Sequence, residues 1–244
     1  MNSKRPFSTR LIAHLPQTIW LRSGVRIQLR NARDNSEFWH IFTSPEYLAL
    51  VPAFMKLNLP SVSVIDCGGG IGLFSLLIEH LSKIRILPWD YISYTLIEPL
   101  PSNFKQMQQN ISRNLPDSRY QLINGLVGYK EGYATLYAGK GRPWGASIIK
   151  RHKLDKEFSH IPFVDLTRTL QSHPCFIKID IEGAEYIFLE TYQDVLTNVE
   201  GIVIEWHTEM GDVATADACL QQAGLHKVQR SWDNQNRCVD FYAR

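Results

Sequence analysis

Four of the five positions from 68 to 72 are glycine (Gly68, Gly69, Gly70 and Gly72), directly behind the apolar run 62–65 and directly ahead of the amphipathic stretch 73–81. A β-branched run, a glycine bend and then apolar residues at helical spacing specify a strand, a turn using backbone angles closed to other residues, and a helix. The first N–H groups of that helix point at whatever lies over the bend, which favours a ligand with an anionic end. A turn of this kind confines the chain to folds in which a strand feeds a helix.

The rest of the chain repeats the unit. β-branched runs at 94–97, 120–123, 176–179 and 202–204 alternate with amphipathic stretches at 103–111 and 184–196. Such alternation implies parallel strands joined by right-handed crossovers, hence an α/β fold with a doubly wound, mostly parallel sheet. Residues 216–222 add a helix that Gly224 can stop. Residues 225–230 and 237–242 flank the turn-rich 233–236, which predicts an antiparallel C-terminal hairpin at the sheet edge. A second hairpin is expected around 133–137, ahead of the loop 139–145. Before the first α/β unit, 18–22 and 25–29 flank Ser23-Gly24 as a hairpin, and 36–56 reads as two short helices divided at Pro45 and Pro52. The chain is therefore expected to be a single domain, with a small N-terminal β/α cap (1–60) on a catalytic core (61–244).

Bulk properties narrow the partners. The net charge of +2 gives no global case for nucleic acid, although Lys4, Arg5, Arg10, Arg22, Arg26, Arg30 and Arg33 all precede the first acidic residue, Asp34. A solvated basic face accounts for that run better than a docking site. No apolar stretch approaches the roughly 18 residues of a membrane span, and 11–15 is too short for a signal-peptide core. Cys67, Cys175, Cys219 and Cys238 lack metal-site spacing, so reduced thiols in a cytoplasmic protein are expected.

The glycine spacing decides between two cofactor classes. A dinucleotide fingerprint needs a third glycine where this chain has Leu73 or Ser75. Asp66-x-Gly68-x-Gly70-x-Gly72 instead resembles the first motif of class I S-adenosylmethionine-dependent methyltransferases. That resemblance implies a Rossmann-like fold, with Asp66, Gly68, Gly69, Gly70 and Gly72 at the methionine end of the cofactor. The next strand ends at Glu98-Pro99, where a carboxylate can accept both hydroxyls of a ribose. The interval from Gly72 to Glu98 is longer than the roughly 20 residues usual in such folds, and 86–90 reads as a small insertion.

A second constellation lies further on. In 176–185 alternation puts Ile177, Ile179 and Ile181 on one face and Lys178, Asp180 and Glu182 on the other. The following strand likewise sets Glu205 and His207 apart from Ile204 and Trp206. Neighbouring strands would bring Asp180, Glu182, Glu205 and His207 together beyond their carboxyl ends, an expensive grouping of charge unless it serves a site. Either Asp180 or His207 alone is equally well explained as a helix cap or a strand end.

Here the resemblance becomes specific. Residues 177–185, with 64–74, Glu98-Pro99, Phe104, Asn110 and 204–207, resemble the FkbM family of methyltransferases over about residues 61–210. The chain departs from that family at Cys67 and Gly69-Gly70, where Val and Ala-Asn are more usual. The resemblance implies S-adenosylmethionine as donor and O-methylation of a hydroxyl on a sugar or other natural-product scaffold. His207 and Asp180 are the candidate bases, with Glu182 and Glu205 orienting base or substrate, and Asp180 also near the cofactor. Arg142 and Trp144 in the 139–160 loop are candidate substrate contacts. Magnesium held by the carboxylates stays open but is not assigned. The expected acceptor is a small molecule, glycan or peptide-derived compound, with neither nucleic acid nor a membrane span involved. Carboxyl O-methylation of a peptide or small acid, and a non-catalytic cofactor-binding partner, remain as alternatives. A nicotinamide dehydrogenase is disfavoured by the missing third glycine.

Overall fold

The computed structural model describes residues 16–57, 59–139, 146–148, 150, 155–172 and 174–244. The hairpin β1 (Gln17–Trp20) and β2 (Arg26–Leu29) comes first, followed by α1 (Ala32–Thr43), α2 (Pro45–Leu48) and α3 (Val51–Phe54). Asn31 accepts hydrogen bonds from the amides of Arg33 and Asp34, which starts α1 ahead of the apolar spacing. Pro45 and Pro52 sit in the first turns of α2 and α3, where a missing N–H costs nothing, so three helices stand where the pattern suggests two.

The core then runs β3 (Ser61–Cys67), α4 (Leu73–Lys83), β4 (Tyr91–Ile97), α5 (Pro101–Ser112), β5 (Tyr120–Ile123), β6 (Tyr133–Ala138), β7 (Ala146–Ser147), β8 (Lys156–Pro162), α6 (Thr167–Ser172), β9 (Cys175–Ile179), α7 (Glu185–Tyr192), β10 (Val199–His207), α8 (Val213–Gln222), β11 (His226–Asp233) and β12 (Arg237–Ala243). The central sheet has the order β11-β12-β10-β9-β3-β4-β5. Strands β3, β4, β5, β9 and β10 are parallel, while β12 is antiparallel to β10 and β11. This is the doubly wound α/β sheet that the alternation implies. The winding reverses at β3, with β4 and β5 on one side and β9 and β10 on the other, which leaves a crevice at the carboxyl ends of β3, β4 and β9.

The C-terminal hairpin forms at the sheet edge as expected, with β11 outermost and β12 between it and β10. Burial explains the order: Val239 and Phe241 pack into one side of the sheet and Cys238 and Tyr242 into the other, whereas β11 is largely exposed. The 133–137 strand joins β7 and β8 in a separate antiparallel sheet, β7-β6-β8. Its Leu136 packs with Leu100 and Leu126 beside the crevice.

The cap is bolted to the core. Trp89, from the insertion at 86–90, is 1% exposed, donates its indole N–H to the Leu57 carbonyl at 3.1 Å and lies 5.5 Å from the Phe176 ring. Phe54 meets Phe176 and Phe241 edge-on at 4.9 and 5.1 Å. Burying each such ring is worth roughly 1.5–3 kcal/mol. Asn110 accepts the Gln28 amide at 2.9 Å and donates to the Ile71 carbonyl at 3.0 Å, so one side chain joins β2 to the glycine turn. Arg30, one of the basic run, forks onto Asp34 at 2.7 and 2.9 Å and reaches the Ser102 carbonyl. These bonds set α1 over the crevice.

Candidate active site

The four glycines do different work. Gly68, Gly70 and Gly72 have φ of 76°, 56° and 88°, left-handed values that favour glycine. A Cβ on Gly68 would lie 1.8 Å from the Asp180 carbonyl oxygen, so its bareness lets the ends of β3 and β9 meet. On Gly69 it would strike Met107 Sδ at 2.9 Å, and on Gly72 it would crowd Ile111 at 3.2 Å. Those two glycines serve the approach of α5. Gly68 and Gly70 line a cavity; Gly69 and Gly72 do not.

Asp66, expected at the cofactor's methionine end, is fully buried and lines neither cavity described below. It accepts from Ser75 Oγ at 2.9 Å and lies 3.5 Å from Lys178 Nζ. Lys178 itself donates to the Gly68 carbonyl at 2.8 Å and stands 3.5 Å from Asp180. Burial opposes its charge, but Asp180, Asp66 and Glu205 together outweigh burial and hold the ammonium more firmly protonated than usual. Lys178 thus ties the floor of the turn to the end of β9.

The first cavity encloses ≈ 680 Å³, solvent mouth included, within the range of roughly 300–1,000 Å³ typical of small-molecule sites. It lies over Gly68 and Gly70 and is bounded by Glu98 after β4, by 125–127 after β5, and by Asp180 and Glu182 after β9. Glu98, 6% exposed, accepts the amides of Gly70 and Leu100 at 2.9 Å each. Burial pushes its carboxyl up to about 7 against those two bonds. Each oxygen keeps a lone pair for a further donor.

Asp180, Glu182, Glu205 and His207 do converge at the ends of β9 and β10. His207 is 2% exposed, with Nδ1 3.1 Å from Glu185 and Nε2 3.4 Å from Glu182. Burial acts to lower its pKa, yet the hydrogen bonds to Glu182 and Glu185 overcome it and raise the imidazole to about 11. His207 is thus held toward its protonated form with each ring nitrogen facing a carboxylate, an arrangement that suits positioning better than proton abstraction. Glu185 also accepts the amides of Ile181 and Gly183 at 3.2 and 3.1 Å, fixing the turn in which Glu182 takes a left-handed φ of 55°. Strain of this kind persists where the surroundings hold it.

A second cavity, enclosing ≈ 750 Å³, opens on the other side of Asp180 and Glu182. The cap supplies Glu37, His40 and Tyr47 to its wall, and the sheet supplies Glu205 and Arg237. Glu205 is paired with Arg237 at 2.6 Å, while burial and the nearby Asp180 and Glu46 push its carboxyl up. His40 pairs with Glu46 at 2.5 Å, which raises the imidazole. Lys178 and Glu185 stood in the second motif without an assigned role, and Glu37, His40 and Arg237 were not anticipated at all. The three unanticipated residues lie far from either motif, Glu37 and His40 on α1 and Arg237 at the start of β12. Arg142 and Trp144 lie outside the described residues. Among the described residues, no group of three or more His, Cys, Asp or Glu is placed to hold a metal ion, and no helix is long and apolar enough to cross a membrane.

The family model for the methyltransferase FkbM domain matches residues 66–226. Comparison with curated proteins gives no significant match. Among solved structures, M. capricolum TrmK in complex with S-adenosyl-homocysteine is similar at 10% identity and TM-score 0.45, over 79% of this chain and 66% of that one. M. jannaschii TYW2 in complex with AdoMet is similar at 10% identity and TM-score 0.47, over 94% and 85%. A human methyltransferase 10 domain containing protein has 13% identity and TM-score 0.45, over 81% and 78%.

Proposed function

The chain belongs to the FkbM family of methyltransferases, and from that premise we propose that it transfers the methyl group of S-adenosylmethionine to a hydroxyl of a small molecule, sugar or other natural-product scaffold. The observation that carries this reading is the pair of cavities meeting at Asp180 and Glu182, one roofed on bare backbone and the other walled by ionisable side chains. The first suits the donor. The bare backbone of Gly68 and Gly70 leaves room for its methionine end, Glu98 has lone pairs left for ribose hydroxyls, and Leu126 and Val127 offer apolar contact to a flat ring. When bound, the donor supplies an electrophilic methyl on a positively charged sulfur.

The second cavity suits the acceptor. Holding a hydroxyl behind the methyl group is worth about 7–11 kcal/mol at the favourable extreme. A base in reach adds roughly 10²–10⁴ in rate. Asp180 touches both cavities and is 29% exposed, so it is the group in this reading that accepts the hydroxyl proton as the new O–C bond forms and the C–S electron pair stays on sulfur. His207 acts through Glu182 as a positioning residue. A carboxylate acceptor would face Asp180, Glu182 and Glu205 with Arg237 as the nearest counter-charge, which favours a neutral hydroxyl over carboxyl methylation.

The test is calorimetric titration of the protein with S-adenosylmethionine, then incubation with sugar and polyketide alcohols while S-adenosylhomocysteine is quantified. The reading predicts donor binding and product with at least one alcohol. Absence of donor binding, or product only with acids or amines, overturns it.

A further inference from the structure

Glu37 stands at the junction of the two cavities and lines both of them. Its Oε1 lies over the glycine turn, 3.2 Å from where a Cβ of Gly70 would project. The other carboxylates of the crevice have partners: Asp66 and Asp180 have Lys178, Glu98 has two amides, Glu182 has His207, and Glu205 has Arg237. Among the described residues Glu37 makes neither a hydrogen bond nor an ion pair. It also lies outside the segment 66–226 matched by the family model, so it belongs to this chain's cap and not to the shared domain.

We propose that Glu37 is the counter-charge for the methyl donor, its ionised carboxylate facing the sulfonium of S-adenosylmethionine. The inference rests on the donor assignment above. Methyl transfer leaves a neutral thioether, so the attraction exists for the substrate form of the donor and vanishes for the product, which favours exchange of one for the other. A carboxylate left unpaired beside buried acids is otherwise a liability. A cationic ligand turns it into a source of specificity.

The electrostatic surroundings agree with this role. Burial pushes the Glu37 carboxyl up to about 7; Arg33 on its own helix lowers it, Asp34 and Asp180 raise it, and Lys178 lowers it. Glu98 and Glu182 face the same space, and His40 lies one turn further along α1. With the donor absent, the group is therefore part protonated near neutrality, and a nearby positive sulfur favours its ionised form.

The experiment is calorimetry of the full chain with S-adenosylmethionine and with S-adenosylhomocysteine at pH 6 and pH 8, at fixed ionic strength. The preference for the sulfonium is expected to rise about tenfold over that interval, the change in ionised fraction of a carboxyl titrating near 7. Glu37→Gln should flatten the rise and Glu37→Asp should keep most of it. The amino groups of the ligands titrate alike in every variant, so the comparison between proteins isolates this side chain. A rise in Glu37→Gln equal to that of the parent, or a parent preference independent of pH, overturns the role of Glu37. Failure of the parent to bind either ligand overturns the donor assignment itself.

Discussion

The two cavities that meet at Asp180 are built from opposite materials. The first lies over the bare backbone of Gly68 and Gly70, with Glu98 after β4 on its wall and Glu37, Asp180 and Glu182 shared with the second. The second is defined by side chains drawn from far apart, with Glu37 and His40 from α1, Glu205 from β10 and Arg237 from β12. The first lies mostly on elements inside residues 66–226, while Glu37, His40, Tyr47 and Arg237 lie outside them. A site made of backbone constrains sequence locally and tightly. A site assembled from distant side chains can be rebuilt by changing a few positions, so acceptor choice can diverge while donor binding stays.

The comparison can be broken most forcefully at the residue that joins the two sides. Lys178→Met leaves Asp66 and Asp180 without their shared ammonium, and the expected loss is about 3–5 kcal/mol in urea unfolding. A variant as stable as the parent would mean that the floor of the turn and the end of β9 are independent. Gly68→Ala comes next, because its Cβ would overlap the Asp180 carbonyl at 1.8 Å in a left-handed conformation; roughly 2–3 kcal/mol of stability and most donor affinity should go. Retention of both would show that the bend tolerates a side chain.

Smaller effects sharpen the division. Glu98→Ala should weaken S-adenosylmethionine by roughly 10- to 100-fold, the worth of one or two hydrogen bonds to a charged group. Arg237→Ala should leave that affinity within about threefold while impairing turnover of an acceptor. Equal losses of donor affinity in both variants would merge the two cavities into one site. A separate effect is in the pH dependence of the His207 pair. Its folded pKa of about 11 lies above the unfolded value of 6.5, so its stabilisation is complete below 6.5 and fades as pH rises through 11. The stability gap between parent and His207→Gln should therefore narrow from pH 7 to pH 9, by no more than about 1.4 kcal/mol per pH unit. A gap constant in pH would mean that the imidazole is not the cation of the cluster.

The same division explains what could be read without coordinates. The parallel sheet and the placing of Gly68, Gly70 and Glu98 at one crevice follow from local rules: strand period, glycine at left-handed positions, an acid at a strand tip. The insertion of β12 between β10 and β11 does not, since a hairpin pattern is the same whichever strand lies at the edge. The motif names Asp66 without saying which way its side chain turns, and here it turns to Ser75 and Lys178. The surroundings of His207 were not legible either, because Glu182 and Glu185 reach it only through tertiary geometry. Glu37 carried no local signal at all.

The most direct test of the account is a crystal structure of the full chain with S-adenosylhomocysteine. The ribose should rest on Glu98 and the sulfur should lie at the border formed by Glu37 and Asp180, turned toward Glu205 and Arg237. An adenosyl group seated among His40, Tyr47 and Arg237, or a sulfur directed toward Leu136, would contradict it.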